Sequence, residues 1–144
     1  MSVSEVGVDE IIQERLDASG VLRITLDDSA RRNALSERML GELQEILDRA
    51  ASDAQVRVLV LAANGPAFSA GHDLKEINRA REHADSGRAF FEDLMSRCAN
   101  VMQAIVNNPK PVIAEVAGVA TAAGCQLVAS CDLAYAAPTA RFAT

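Results

Sequence analysis

Hydrophobic and polar positions alternate first along residues 21–26, where Leu22, Ile24 and Leu26 are interleaved with Arg23, Thr25 and Asp27. A period of two marks a strand with one buried face. Residues 11–16 can form a partner strand, and the two are expected to make a hairpin. The period then changes. Met39, Leu40, Leu43, Ile46, Leu47 and Ala50 recur at three- and four-residue spacing, with Ser36 as N-cap and Glu37 in the first turn; this predicts an amphipathic helix ending near Ser52. Residues 56–62 form an almost wholly apolar run, which suits a parallel strand covered on both faces. Phe91, Leu94, Met95, Cys98, Val101, Met102 and Ile105 set out a second long helix, stopped by Asn107-Asn108-Pro109. Residues 112–116 read as a buried strand. They are followed by a small-residue turn (117–124), a short apolar helix (123–130) and a last strand (132–136). Strand, helix, strand in succession indicates a mixed α/β fold.

Two stretches stand outside this periodicity. Residues 64–75, Asn-Gly-Pro-Ala-Phe-Ser-Ala-Gly-His-Asp-Leu-Lys, form a small-residue loop directly after a strand, where ligand sites concentrate. Residues 117–124 form the other. Small side chains there allow another group to approach the backbone, and a helix N-terminus carries free N–H groups. Such a turn can receive a negatively charged oxygen; the alternative is that it serves only tight strand–helix packing. Residues 1–9 read as a flexible start, with one domain over 10–144, and residues 80–87 as a solvated, mobile loop or helix end. His83 reads as a surface residue and Glu115 as a buried, paired carboxylate. Phe68, Phe90, Phe91 and Met95 read as core.

Composition removes several function classes. The net charge of −6 over 144 residues argues against a nucleic-acid binder, which needs clustered Lys and Arg. Aromatic residues are 3% and Trp is absent, which argues against a stacking platform for single strands. Three cysteines without a CxxC pair give neither a disulfide framework nor a zinc site. His72 and Asp73 alone make no coordination shell, so no metal is expected. The acidic start lacks a signal-peptide pattern and no apolar run has membrane-spanning length. A cytoplasmic location is the expectation, with no membrane partner.

Three segments now stand together: Arg-Arg-Asn-Ala-Leu-Ser (31–36), Ala-Phe-Ser-Ala-Gly-His-Asp-Leu (67–74) and Val-Ala-Gly-Val-Ala-Thr-Ala-Ala-Gly-Cys-Gln-Leu (116–127) with Cys-Asp-Leu-Ala-Tyr (131–135). In this order and spacing the chain resembles the enoyl-CoA hydratase/isomerase (crotonase) superfamily, over the front portion of that family's core. The resemblance implies a crotonase-like spiral of ββα units, with two sheets meeting at a steep angle. It implies an acyl-CoA thioester as ligand, coenzyme A entering as part of the substrate and not as a separate cofactor. The main-chain N–H groups of His72 and Ala123 would form an oxyanion hole. Arg31, Arg32, Ala34, Ala70, Gly71, Asp73, Leu74 and Gly124 would contact substrate or CoA, with an arginine near the phosphates. A homotrimer or hexamer is the implied assembly of the full-length protein.

Gln126 departs from the pattern. In hydratases of the family a glutamate stands here and, with a second one, holds and activates the water. An amide cannot accept a proton as a carboxylate does, which argues against ordinary two-glutamate hydration. The second acid would fall about two positions past Thr144. Ala122-Ala123 also replaces glycines found in many relatives. Two functions are therefore carried forward: an acyl-CoA enzyme whose proton work lies elsewhere, and a non-catalytic acyl-CoA-binding relative. A Clp-type protease shares this fold, but no Ser–His–Asp set emerges from the sequence.

Overall fold

A computed structural model describes residues 9–144. The flexible start expected over 1–9 lies, up to residue 8, outside the described residues. The hairpin forms as the alternation requires: β1 (Ile12–Leu16) pairs antiparallel with β2 (Val21–Leu26). Its turn is built by Asp17, whose Oδ1 accepts from the Ser19 N–H (2.8 Å), the Ser19 hydroxyl (2.7 Å) and the Val21 N–H (3.0 Å). Helix α1 (Glu37–Ser52) starts where the Ser36 hydroxyl accepts from the Met39 N–H, at 3.1 Å. It buries the stripe Met39, Leu40, Leu43, Ile46, Leu47 and Ala50.

Strands β3 (Val58–Ala63), β5 (Val112–Val116) and β7 (Leu133–Ala136) add in parallel to β2, giving a five-stranded sheet of order β1-β2-β3-β5-β7. Between these strands the chain visits a second, three-stranded parallel sheet, made by β4 (Ala67–Ser69), β6 (Val119–Thr121) and β8 (Arg141–Ala143). Each repeat sends one strand to the large sheet and the next to the small one. After β4 come α2 (Leu74–Ala80) and α3 (Arg88–Val106); after β6 comes α4 (Ala123–Ala129). This is the ββα spiral.

Several expectations change. Strand β3 is not covered on both faces: Leu59 and Leu61 are buried, while Val58 and Val60 on the opposite face are only half-buried. Strand β5 behaves alike, with Val112, Ala114 and Val116 inside and Glu115 exposed. Glu115 does have a partner, Arg23, two strands away across the open face. Among the aromatic and Met positions, Phe68 is core, Phe90 and Phe91 are half-buried in edge-to-face contact, and Met95 is exposed. Helix α3 turns Leu94, Cys98, Val101 and Ile105 inward against α1, which leaves Met95 on the other side. The solvated loop begins after α2, a helix that starts where the Asp73 carboxylate accepts from the N–H groups of Lys75 (2.9 Å) and Glu76 (3.4 Å).

Three carboxyl groups make stability depend on pH, with opposite signs. Asp17 is held below its ordinary 3.8 by the Ser19 hydroxyl and then by the Val21 N–H. Asp85 is held below the same value by the N–H groups of Ala89 and Gly87 at the start of α3. A depressed folded-state pKa gives stability that is present above the unfolded value and lost as pH falls through the folded one. Glu76 is the reverse: burial raises it above 4.5, against the opposing hydrogen bond from the Glu37 N–H. Its folded form holds the proton more tightly, so stability falls as pH rises above 4.5 through that raised value. Thermal melts from about pH 2 to 7 are expected to show a flatter acid limb for Asp17→Asn and Asp85→Asn. Glu76→Gln is expected to remove a decline above 4.5.

Candidate active site

The two small-residue loops meet because β4 and β6 are parallel neighbours, paired as Ala67 with Val119 and Ser69 with Ala120. Both loops therefore leave the same end of the small sheet. Gly71 has φ +87°, and a Cβ placed on it would lie 3.1 Å from the Ala122 Cβ and 3.3 Å from the Ala123 nitrogen. Gly124 packs its Cα on the backbone of Ser69, where a Cβ would overlap the Ser69 carbonyl. The Gly71 backbone is thus seated against Ala122 and Ala123. Among the described residues no protein acceptor takes the N–H of His72 or of Ala123. Ala123 is the first residue of α4, where an N–H has no intrahelical partner.

Ala122 adopts φ 52°, ψ −126°, a region that glycine occupies at far less cost. Its N–H donates to the Ala143 carbonyl (3.0 Å), which ties the turn to β8, and its own carbonyl accepts from Cys125 and Gln126. The His72 ring is half-buried, and its Nδ1 is buried with no partner. The residue therefore offers a ligand its main-chain N–H first.

A third segment holds the first loop in place. Asn33 is fully buried, with φ 51°. Its Nδ2 donates to the carbonyls of Asn64 and Ala67, both at 2.9 Å, and its Oδ1 accepts from the Asp28 N–H at 2.7 Å. The Ser69 hydroxyl donates to the Asn33 carbonyl (2.8 Å) and accepts from the Gly71 N–H (3.3 Å). The Leu35 N–H reaches the Gly71 carbonyl (2.7 Å), and the Ala70 N–H reaches the Arg32 carbonyl (3.0 Å). Asn33 lies inside the 31–36 segment but is not among the expected site residues; its burial and paired amide, which local sequence does not show, mark it as the residue that holds the loop.

These segments enclose a cavity of 260 Å³ lined by Ala30, Arg31, Arg32, Ala34, Ala70, His72, Asp73, Leu74 and Lys75. It gathers the expected CoA-contact positions except Gly71 and Gly124, which are buried beneath, and adds Ala30 and Lys75. Arg32 and Lys75 form no ion pair among the described residues, and Arg31 has only Asp28, at 3.5 Å. Exposed pairs of this kind contribute roughly 0–1 kcal/mol, so Arg31 is available to an anionic ligand. A larger depression of 510 Å³ is lined by Asp9, Glu10, Asp27 and Asp28 and would repel phosphate. Gln126 lies exposed on α4, two residues after Gly124. Cys131 offers no nucleophile: burial, and then Asp132, push its thiol up to about 12.

The sequence profile of the enoyl-CoA hydratase/isomerase family matches residues 17–144. The chain belongs to this family. Among solved structures, an enoyl-CoA hydratase from Mycobacterium smegmatis is 50% identical with a TM-score of 0.87, over 94% of this chain and 51% of that one. Human enoyl-CoA hydratase domain-containing protein 3 is 42% identical with a TM-score of 0.85, over 94% and 51%. The rat protein of that name, described as mitochondrial, is 45% identical across 87% of this chain and 40% of its own. The chain thus spans about half the length of the relatives it matches. It corresponds to the front portion of the crotonase fold, as the motifs implied. No described helix is long and apolar enough to cross a membrane. The cytoplasmic expectation gains no support from relatives named as mitochondrial.

Proposed function

We propose that this family member binds an acyl-CoA thioester and directs the N–H groups of His72 and Ala123 at the thioester oxygen. The observation that carries this reading is the contact of the Gly71 backbone with Ala122 and Ala123, together with two N–H groups that no acceptor among the described residues takes. Fixed donors of this kind stabilise charge that moves onto a carbonyl oxygen as an enolate forms, each contributing about 3 kcal/mol. Arg31, Arg32 and Lys75 supply the cations for the CoA phosphates, and arginine can pair with phosphate bidentately. Ala34, Ala70 and Leu74 leave room for the nucleotide, and Gly71 and Gly124 permit the close approach of the two loops. Asp73 contributes by capping α2, which fixes the exit of the His72 loop.

Gln126 carries the second half of the proposal. Its amide holds no exchangeable charge, so the hydration that needs two carboxylates is not the reaction of this site. The family chemistry left open is proton transfer by another acid. Strand β8, parallel to β6 with Thr121 opposite Ala143, carries the chain past the Ala123 turn. The same neutral amide favours the second reading, an acyl-CoA-binding relative without turnover. In either case a trimer or hexamer is the proposed assembly.

The test is calorimetric and kinetic. The protein is expected to bind butyryl-CoA and to hydrate crotonyl-CoA poorly, with little gain from Gln126→Glu alone. Robust hydration by the unaltered protein contradicts the argument from Gln126. Failure to bind any acyl-CoA contradicts the whole proposal.

A further inference from the structure

Residues 64–66 join β3 to β4, and the first two of them, Asn64 and Gly65, are exposed. We infer that this pair is a site of self-modification: the Gly65 nitrogen closes a cyclic imide on the Asn64 side chain, and hydrolysis leaves aspartate or isoaspartate. The atoms balance with water as the only co-reactant. Gly65 N attacks Asn64 Cγ, and the new N–C bond replaces the bond from Cγ to Nδ2. Ammonia leaves, taking up the proton of the Gly65 N–H, and water then opens the ring at either carbonyl. Of the six asparagines in the chain, Asn64 alone precedes a glycine, whose missing Cβ leaves its nitrogen open to the attack. The Gly65 N–H donates to no acceptor among the described residues. The Asn64 side chain is held by one hydrogen bond, from Nδ2 to Asp27 Oδ1 at 3.1 Å, and that bond lies at the surface. The fold also enforces the pair. Gly65 has φ +85°, and a Cβ on it would lie 2.6 Å from the Ser29 Cβ, so a larger residue is strained in this turn. Asn33 is the contrast: it is fully buried, and its amide is engaged in three hydrogen bonds.

The product matters because of where Asn64 sits. Its main-chain carbonyl accepts from the Asn33 Nδ2 at 2.9 Å, one of the bonds that hold the first loop of the site. In isoaspartate the chain runs through the former side chain, one methylene longer, and that carbonyl becomes a free carboxylate. The oxygen held by Asn33 is then no longer part of the peptide leading into β4. In aspartate the main chain is intact. Its new carboxylate faces Asp27, which formerly accepted from the amide, and the like charges repel.

The test is an ageing experiment. Protein held for weeks at mildly alkaline pH is digested at acid pH, which stops the reaction, and mapped by electron-transfer mass spectrometry, which separates isoaspartate from aspartate. Conversion is expected first at Asn64, with isoaspartate present there. It is expected to be lost in Asn64→Gln, whose longer side chain closes a ring far more slowly. Anion-exchange chromatography then isolates the converted protein by its added charge. The isoaspartyl form is expected to melt about 3 °C or more below the parent, with Asn64→Asp between them. No conversion at Asn64, earlier conversion at another asparagine, or aspartate alone at this position overturns the self-modification. Equal melting of the parent and isoaspartyl forms overturns its link to the Asn33 network.

Discussion

Gly124→Ala is expected to destabilise the protein by about 3 kcal/mol or more, at the upper end of the usual cost of overpacking. The added methyl has no flexible side chain to displace; it meets the carbonyl, the carbonyl carbon and the Cβ of Ser69. To admit it, α4 must move off β4, and that movement separates the two loops of the site. Gly41→Ala is the internal contrast. Gly41 lies inside α1 with nothing within 4 Å of an added Cβ. Relief of the glycine's helical penalty should then stabilise by about 1 kcal/mol. Denaturant unfolding of the two variants reads both signs. If Gly124→Ala proves neutral, the close seat of α4 on β4 is wrong.

Asn33→Ala should be nearly as damaging, for a different reason. It strips partners from the Asp28 N–H and from the carbonyls of Asn64 and Ala67. A buried group left unpaired costs about 1–3 kcal/mol; the Ala67 bond is buried and the other two are part-buried, so a total of about 3 kcal/mol is expected by the same unfolding measurement. The backbone adds to it: Asn33 sits at φ 51°, which asparagine tolerates better than alanine. Asn33→Gly keeps the backbone freedom and loses only the side-chain bonds, so it should fall between the parent and Asn33→Ala. Equal loss in both variants would assign the whole effect to the hydrogen bonds.

These two residues also mark what the sequence made legible and what it did not. Long periodic elements could be read directly: the alternation of Leu22, Ile24 and Leu26 and the Ser36-capped stripe of α1 stand where the pattern put them. The small sheet could not, because β4, β6 and β8 are each three residues long and no period shows over so short a run. Helix α2 shows no period in the sequence, since its seven residues bury only Ala80. The half-open faces of β3 and β5 escaped for a related reason: an apolar run does not say whether a second layer covers it. At the site, residue types announced two loops suited to close approach. Their meeting depends on the parallel pairing of β4 with β6, a contact between residues about fifty apart that local pattern cannot encode. Asn33 was hidden by the same distance, since its partners lie more than thirty residues away in Asn64 and Ala67.

The electrostatics of the site follow from this geometry. Cations from two segments, Arg31 and Arg32 from one and Lys75 from the other, line one cavity together with Ala70 and His72. The free N–H groups lie where the two loops touch.

The most direct measurement is the response of two amide resonances. In ¹H–¹⁵N spectra of the protein titrated with butyryl-CoA, the His72 and Ala123 amide protons are both expected to move downfield and to saturate together at one dissociation constant. Binding that shifts neither amide, or only one of them, would contradict a shared thioester-oxygen site.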